Sequence, residues 1–297
     1  KSKLGANAIL SVSLASARLA AKLTGKPLYK SLAQQYGFKF DLKNQQLPTP
    51  LLNVINGGVH ADSGLDIQEF FIIPLRGSFA EKIQRSHAVI RELKKYFVSK
   101  GLSIGVGDEG GFAPKIGSNK KALRALVQAI ESAGFKLNKD FALGMDAAAS
   151  EFFDSQKEIY RLKADGKNFK PSSLYKLYEK RVAEFGLRII EDGCAEDDFV
   201  GWQKLTGALG SSTVLVGDDL FVTDTQRIES GIIAGIANAV LIKPNQIGTV
   251  SETMAAIKLA QKYGYKVIIS HRSGETVDDF IADLSVAVSA DYIKAGS

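Results

Sequence analysis

Six apolar segments in the second half of the chain each end in one charged residue, and these residues have the types that acid–base and metal chemistry needs. The charged residues are Asp146, Glu191, Asp218, Lys243, His271 and Lys294. From Glu191 onward they are 27, 25, 28 and 23 residues apart, close to the roughly 31 residues of one strand-plus-helix unit in an eight-fold barrel. Because strand ends meet at the mouth of such a barrel, we expect these side chains to lie together there.

Three of these residues, Asp146, Glu191 and Asp218, are carboxylates. A single Asp or Glu after a strand often caps the next helix, so each residue alone is ambiguous. Three carboxylates at one mouth, however, repel one another strongly unless a cation neutralises them. Oxygen ligands without a cysteine or a cluster of histidines suit Mg²⁺. We therefore interpret the three residues as a magnesium site.

Two lysines, Lys243 and Lys294, follow apolar segments directly. Two solvated lysines are the simpler interpretation, but a lysine without a partner is unfavourable at the end of a buried strand. A nearby Mg²⁺ and a second ammonium group would lower the pKa of a lysine, so that a neutral amine becomes available as a base. The pattern predicts that one lysine removes a proton while the other binds an anion.

Two glutamates precede this region. Glu109 lies in a glycine-rich loop at residues 107–111, and Gln68 and Glu69 open the second strand of the barrel. A surface carboxylate is the alternative interpretation for each glutamate. If both face the mouth, repulsion between like charges raises the pKa of one of them and makes it a usable acid.

Two loops carry candidates for substrate binding. After His271 come Arg272 and Ser273, whose guanidinium fork and hydroxyl are well suited to a phosphate group. His60 follows Gly57 and Gly58, which are either turn glycines or part of a flexible binding loop.

The composition is that of a soluble globular protein. The chain has 297 residues, 45% of them hydrophobic and 24% charged, with a net charge of +6. No block of Arg and Lys alternates with aromatic residues, so a solvated basic surface is favoured over a nucleic-acid surface.

The lone Cys194 excludes an internal disulfide and a cysteine-based metal site. Residues 1–17 imitate a signal peptide, but their apolar residues continue at helical spacing to Leu23 and favour a packed helix.

The order of the segments predicts an α/β fold. Residues 1–36 are expected to be helical, 37–47 to be a polar connector, and 48–297 to form a barrel domain. Strands and helices alternate from about residue 141, which favours a parallel sheet. Even spacing favours a closed barrel over an open doubly wound sheet. Helix caps are predicted at Ser78, Ser118, Ser172, Asp224, Thr249 and Thr276.

A set of long motifs resembles the enolase family, the phosphopyruvate hydratases of glycolysis, in the form with Gly193 that bacteria carry. The motifs, in chain order, are KSKLGANAIL (1–10), NVINGG (53–58) followed by His60, QEF (68–70), VGDEGG (106–111), ASEF (149–152), IEDG (190–193), GDDL (217–220), KPNQIG (243–248) and SHRSGET (270–276). The resemblance covers nearly the whole chain. It implies a TIM-type (β/α)8 barrel of the enolase kind, preceded at residues 1–47 by the helical remnant of a small N-terminal α+β domain.

The resemblance also implies a reaction, the reversible dehydration of 2-phospho-D-glycerate to phosphoenolpyruvate, and a role for each matching residue. It implies that Mg²⁺ is bound by Asp146, Glu191 and Asp218. It implies that Lys243 removes the α-proton and that Glu109, with Glu69, protonates the departing hydroxyl, with His271 also counted among the catalytic residues. For substrate binding it implies Lys294 at the carboxylate, Arg272 and Ser273 at the phosphate, and Gln68 and His60 in the pocket lining.

Other properties of the family are expectations here. The full-length enzyme is expected to bind two Mg²⁺ ions, and this chain fully encodes one of the two sites. A homodimer or octamer is also expected. The expected location is the cytoplasm, with a surface or secreted population as the alternative. The chain has no initiating Met and stops three residues after Lys294, which predicts truncation at both ends and loss of the final helices. Two alternatives stay open: another lyase or racemase of the superfamily, and a non-catalytic role in binding plasminogen or an RNA-degradation complex.

Overall fold

The computed structural model of the protein describes Lys1 and residues 3–39, 47–107 and 109–297. The strands are β1 (Thr49–Asn56), β2 (Glu69–Pro74), β3 (Phe141–Asp146), β4 (Phe153–Asp154), β5 (Ile159–Leu162), β6 (Lys167–Phe169), β7 (Leu187–Glu191), β8 (Val214–Gly217), β9 (Ala239–Ile242), β10 (Lys266–Ser270) and β11 (Tyr292–Lys294). The helices are α1 (Ala6–Leu23), α2 (Leu28–Gln35), α3 (Phe79–Ser99), α4 (Asn119–Ser132), α5 (Pro171–Phe185), α6 (Phe199–Leu209), α7 (Thr225–Ala234), α8 (Pro244–Ile247), α9 (Val250–Lys262) and α10 (Phe280–Ala287).

Within the described residues, eight strands close into a barrel in the order β1-β11-β10-β9-β8-β7-β3-β2, which confirms the predicted fold class. One strand departs from the predicted pattern. β2 pairs antiparallel with both of its neighbours, β1 and β3. The expectation that every strand brings its C-terminal end to the mouth is therefore wrong for β2. Its N-terminal residue, Glu69, lies at the mouth instead, in register with Asp146.

The inside of the barrel is filled with apolar side chains below the mouth. Phe71 and Ile73 of β2 pack with Ile189, Val216 and other residues of alternate strand positions. The Phe71 ring takes space beside Gly144, where an added Cβ would lie 2.1 Å from the ring. Because side chains alternate along a strand, the other strand positions pack outward against the helices. The barrel is therefore a solid core, and polar chemistry is confined to its mouth.

The two N-terminal helices pack against the barrel helices near that mouth. The backbone N–H of Tyr29 in α2 donates to Asp283 of α10 at 3.0 Å, and that of Val250 donates to Ser13 of α1 at 3.0 Å. Most of the predicted connector, residues 40–46, lies outside the described residues, so the domain boundary before Pro48 stays a prediction. None of the helices in the described ranges is long and apolar enough to cross a membrane.

Most of the predicted helix starts agree with the structure. Ser78, Ser118, Asp224 and Thr249 cap their helices through side-chain hydrogen bonds, Ser78 in a complete capping box with Glu81. Two predicted caps are wrong. Pro171 is the first residue of α5, which places Ser172 inside the helix. α10 begins only at Phe280, so Thr276 belongs to an exposed loop that runs from residue 272 to 279.

Candidate active site

The barrel mouth brings most of the predicted site residues together. Glu69, Asp146 and Glu191 stand side by side on β2, β3 and β7, and each is almost completely buried. Lys294 ends β11 and is 3% exposed. The remaining three, Asp218, Lys243 and His271, each follow the last residue of their strand.

Lys294 lies at the centre of the buried carboxylates. Its Nζ is 2.7 Å from Glu69 Oε2, 3.0 Å from both carboxylate oxygens of Glu191 and 3.9 Å from Asp146 Oδ2. Below it, the Phe71 ring centroid is 5.9 Å away. Burial alone would lower the pKa of Lys294, but the surrounding carboxylates, Glu191 first, outweigh it and raise that pKa well above its usual value. Lys294 is therefore a fixed positive charge.

One ammonium group does not neutralise this pocket. Burial raises the pKa of Glu191 well above the usual range of a carboxyl group, Lys294 opposes the shift, and neighbouring carboxylates add to it. The pKa of Asp146 rises well above its usual range for the same leading reason. Three ionised carboxylates around one lysine leave two negative charges in excess, an arrangement that is unstable in a buried site unless another cation joins it.

Lys243 and Asp218 form a second ion pair on the rim, between Lys243 Nζ and Asp218 Oδ2. Burial is the largest single effect and lowers the pKa of Lys243, but the charge and hydrogen bond of Asp218, together with the charge of Glu191, make the net direction upward. The sequence predicts that a nearby Mg²⁺ and a second ammonium group lower this pKa. Lys294 does have a lowering effect, but the protein groups alone give the opposite net direction because the contact of Lys243 is a carboxylate. The effect of a Mg²⁺ ion stays a prediction.

Glu109 lies next to Glu69, on the side of the mouth formed by β1 and β2. Glu109 Oε2 accepts a hydrogen bond of 2.8 Å from Asn53 Nδ2, and its Oε1 is 3.7 Å from His60 Nδ1. The same His60 nitrogen is 3.9 Å from Glu69 Oε1. Burial raises the pKa of Glu69, Lys294 lowers it less, and Glu109 adds to the rise. The two glutamates thus lie together at the mouth, with the raised pKa on Glu69.

Glycines allow the loop that carries Glu109 to pack closely against β1. An added Cβ on Gly111 would lie 2.1 Å from Asn56 Oδ1, and one on Gly107 would lie 3.1 Å from the His60 carbonyl oxygen. Gly110 has a φ of +87°, in the left-handed region that favours glycine. The glycine-rich sequence is therefore a requirement for close packing of the loop on β1. Asp108, in the same motif, lies outside the described residues.

Arg272 and Ser273 are not drawn into the carboxylate cluster. Both are exposed, and Arg272 Nη1 donates to Asn245 Oδ1 at 3.0 Å. They line a cavity of about 490 Å³ that also contacts Asn7 and Ser11 of α1. The predicted phosphate-binding pair thus lies at the edge of the mouth and lines an open cavity.

His271 is buried beside Lys294, and its backbone N–H donates to the Lys294 carbonyl oxygen at 2.9 Å. Burial lowers the pKa of its imidazole to about 4, and the two ammonium groups of Lys294 and Lys243 contribute to the shift. The unfolded imidazole has a pKa of about 6.5. Between these values the unfolded chain binds a proton that the folded chain does not, so the depressed pKa makes stability fall as the pH falls.

This shift gives a testable pH dependence. Between pH 7.5 and 4.5, His271 should remove about 2–3 kcal/mol of the free energy of unfolding. His271→Gln should abolish that part of the slope in urea unfolding at the two pH values. His87→Gln, which changes an exposed histidine of α3, is the matched control. A His271→Gln slope equal to that of the control would contradict the buried neutral imidazole.

Among the described residues, two groups of three potential metal ligands lie within 4.8 Å of one another, and neither is the predicted trio. One is His60, Glu69 and Glu109; the other is Asp192, Asp218 and Asp219. The carboxylate oxygens of Asp192 accept the backbone N–H groups of Asp218 at 3.0 Å and Asp219 at 2.8 Å. The mouth therefore holds a carboxylate cluster that could bind a metal ion, with Asp218 common to the structural and the predicted sets.

The sequence interpretation missed several polar contacts of this site. Asn53 binds Glu109, and the Gln246 amide donates to Asp218 Oδ1 at 3.2 Å. Gln68, predicted as a pocket residue, also donates through its amide to Asp146 Oδ2 at 3.0 Å. The available signal was that all three residues lie inside the motifs quoted for the resemblance.

The chain was compared with known protein families. The family described as "Enolase, C-terminal TIM barrel domain" matches residues 44–297. The match spans all eight barrel strands and every predicted site residue.

Proposed function

The chain belongs to the family of the enolase C-terminal TIM barrel domain, and from this premise we propose that it catalyses the reversible dehydration of 2-phospho-D-glycerate to phosphoenolpyruvate. Membership supports a lyase of the enolase superfamily. The particular substrate rests on the residues at the mouth. The observation that carries the proposal is the position of a lysine and a glutamate on opposite sides of one charged pocket.

The order of the strands in the barrel places the lysine and the glutamate on opposite sides of the mouth. Lys243 follows β9, and β9 lies four strands from β2 in the ring of eight. Glu69 opens β2, and Glu109 lies next to Glu69 through their shared contact with His60. A base and an acid on opposite sides can act on opposite faces of a substrate between them, which is what loss of a proton and a hydroxyl from neighbouring carbons requires.

A divalent cation fits the donor set. The donors are carboxylate oxygens, the kind that Mg²⁺ prefers, and Lys294 offsets only one of the three charges that Glu69, Asp146 and Glu191 carry when all are ionised. We propose Asp146, Glu191 and Asp218 as the ligands, with Asp192 fixing the loop that carries Asp218. A bound Mg²⁺ would stabilise the negative charge that builds up on the substrate carboxylate.

The chain's own groups account for the proton and bond changes. Lys243, once neutral, takes the proton from the α-carbon, and Lys294 binds the substrate carboxylate as charge moves onto it. The bond from the β-carbon to its hydroxyl oxygen then breaks. Glu109, with Glu69 beside it, gives that oxygen a proton, so it leaves as water.

Residues around the edge of the mouth would orient the substrate. Arg272 and Ser273 face an open cavity from an exposed loop, and we propose that they bind the phosphate. Gln68 and His60 would line the pocket, while His271, neutral because of burial, would pack against the end of β11.

The proposal predicts metal-dependent turnover. Supplied with 2-phosphoglycerate and Mg²⁺, the protein should produce the enol product, followed by its absorbance. A chelator should reduce the rate by at least about 100-fold, and excess Mg²⁺ should restore it. A rate that is unchanged under chelation would remove the metal role, and no product under any condition would contradict the reaction itself.

A further inference from the structure

Both carboxylate oxygens of Asp218 are bound by side chains of the segment that follows β9. Oδ2 contacts the ammonium group of Lys243, and Oδ1 accepts a hydrogen bond of 3.2 Å from the Gln246 amide. Lys243 is the residue before α8, and Gln246 lies three residues later within it. One short segment, residues 243–246, therefore contacts both oxygens.

Thr223 contacts both the backbone of Lys243 and the side chain of Gln246. Its Oγ1 accepts the backbone N–H of Lys243 at 2.9 Å and lies 2.9 Å from Gln246 Oε1. A threonine hydroxyl has one proton to donate, and the Gln246 carbonyl oxygen is its acceptor. This contact fixes the amide with its NH₂ group toward Asp218, since the reverse orientation would set two acceptors against each other.

The loop that carries Thr223 has an unusual backbone conformation that holds the threonine in place. Thr223 is completely buried, and it and Val222 have φ values of 58° and 42°, in the left-handed region that non-glycine residues rarely adopt. The Asp218 carbonyl oxygen accepts the backbone N–H groups of Phe221 and Val222. The loop thus turns back on Asp218 and directs the Thr223 hydroxyl toward β9. Strain of this kind persists only where surrounding contacts over-determine the conformation.

We propose that Thr223 and Gln246 are positioning residues, which together set the orientation of the Asp218 carboxylate and the backbone of Lys243. This inference rests on the proposed function, in which Asp218 binds a divalent metal ion and Lys243 removes the proton. The Gln246 amide on Oδ1 opposes a rotation of the Asp218 carboxylate that would give both oxygens to the lysine. The hydrogen bonds therefore keep one oxygen directed away from Lys243.

The sharpest test compares Thr223→Val with Thr223→Ser. Valine keeps the shape of threonine but removes the hydroxyl, whereas serine keeps the hydroxyl. Thr223→Val should weaken Mn²⁺ binding, measured by electron paramagnetic resonance without substrate, by about tenfold or more. It should slow exchange of the substrate α-proton by a similar factor while KM changes little. Thr223→Ser should restore most of both properties.

Gln246→Met provides an independent test at a partly exposed position, should Thr223→Val fold poorly. It removes the amide but keeps the length of the side chain, and we expect the same two losses. Gln128→Met, at an exposed glutamine of α4, is its matched control. Because both residues act through Asp218, the combined variant should lose less than the product of the single losses.

The outcomes separate this inference from the proposed function. If the unaltered protein binds Mn²⁺ and exchanges the proton, but Thr223→Val behaves like Thr223→Ser and Gln246→Met like Gln128→Met, the inference alone is wrong. If the unaltered protein does neither, the proposed function is wrong and the inference with it. A loss in both hydroxyl-free and amide-free variants, with rescue by serine, supports it.

Discussion

Lys243→Ala is expected to abolish exchange of the α-proton of 2-phosphoglycerate, whereas Glu109→Gln is expected to leave exchange intact and stop dehydration. In our proposal Lys243 is the base, and Glu109 acts only when the carbon–oxygen bond breaks. Loss of a positioned base or acid costs about 10²–10⁴-fold in rate. Deuterium incorporation at the α-carbon, followed by NMR, measures the first step, and formation of the enol product measures both.

Two controls make this comparison decisive. Lys258→Ala removes an exposed lysine of α9 and should leave both rates unchanged. Substrate binding, measured separately, should survive in the Glu109→Gln protein. If Lys243→Ala and Glu109→Gln lose exchange equally while both bind substrate, the assignment of base and acid is wrong.

The strand ends of the barrel could be predicted from the sequence because their signal is local. A charged residue directly after an apolar segment, as at Glu191 or Lys294, marks both the end of a strand and the face it reaches. Closure of the barrel turns this repeated pattern into proximity. The direction of β2 could not be predicted in the same way. Its segment, Glu69–Pro74, is buried throughout and apolar after Glu69, and such a continuous buried strand carries no signal for parallel or antiparallel pairing.

The residues that the sequence interpretation missed are mostly neutral and depend on loop geometry. Asn53, Thr223 and Gln246 acquire their roles only through a second residue that the fold places beside them. Asp192 has a φ of 40° and binds backbone N–H groups across the next loop. A sequence pattern does not show such contacts, because they join residues 23 to 56 positions apart.

The pKa of Lys243 illustrates a further limit. The type and spacing of residues predict which charges meet, but not which contact is nearest. Burial and the more distant Lys294 lower the pKa of Lys243, but the contacting Asp218 and the charge of Glu191 together make the net direction upward. The direction of a pKa shift at a crowded site depends on these distances, which only the folded structure supplies.

Lys294→Met is expected to destabilise the protein by about 3–5 kcal/mol at neutral pH without added metal. The substitution keeps an unbranched side chain above the Phe71 ring but removes the only ammonium group that contacts Glu69 and Glu191 within the described residues. These buried carboxylates are then left without compensation. Lys266→Met, which removes an exposed lysine paired with Asp291, is the matched control and should cost at most about 1 kcal/mol.

The pH dependence of this loss distinguishes charge from packing. In the unaltered protein the raised pKa of Lys294 contributes stability that is present below the unfolded pKa of about 10.4 and is lost as the pH rises through the folded value. Without Lys294, the pKa values of Glu69 and Glu191 should rise further, so the folded variant binds protons more tightly than its unfolded chain. Its deficit should therefore shrink between pH 8 and pH 5, as measured by urea unfolding. A deficit that is the same at both pH values would mean that Lys294 stabilises the barrel through packing, and that the carboxylate cluster does not need its charge.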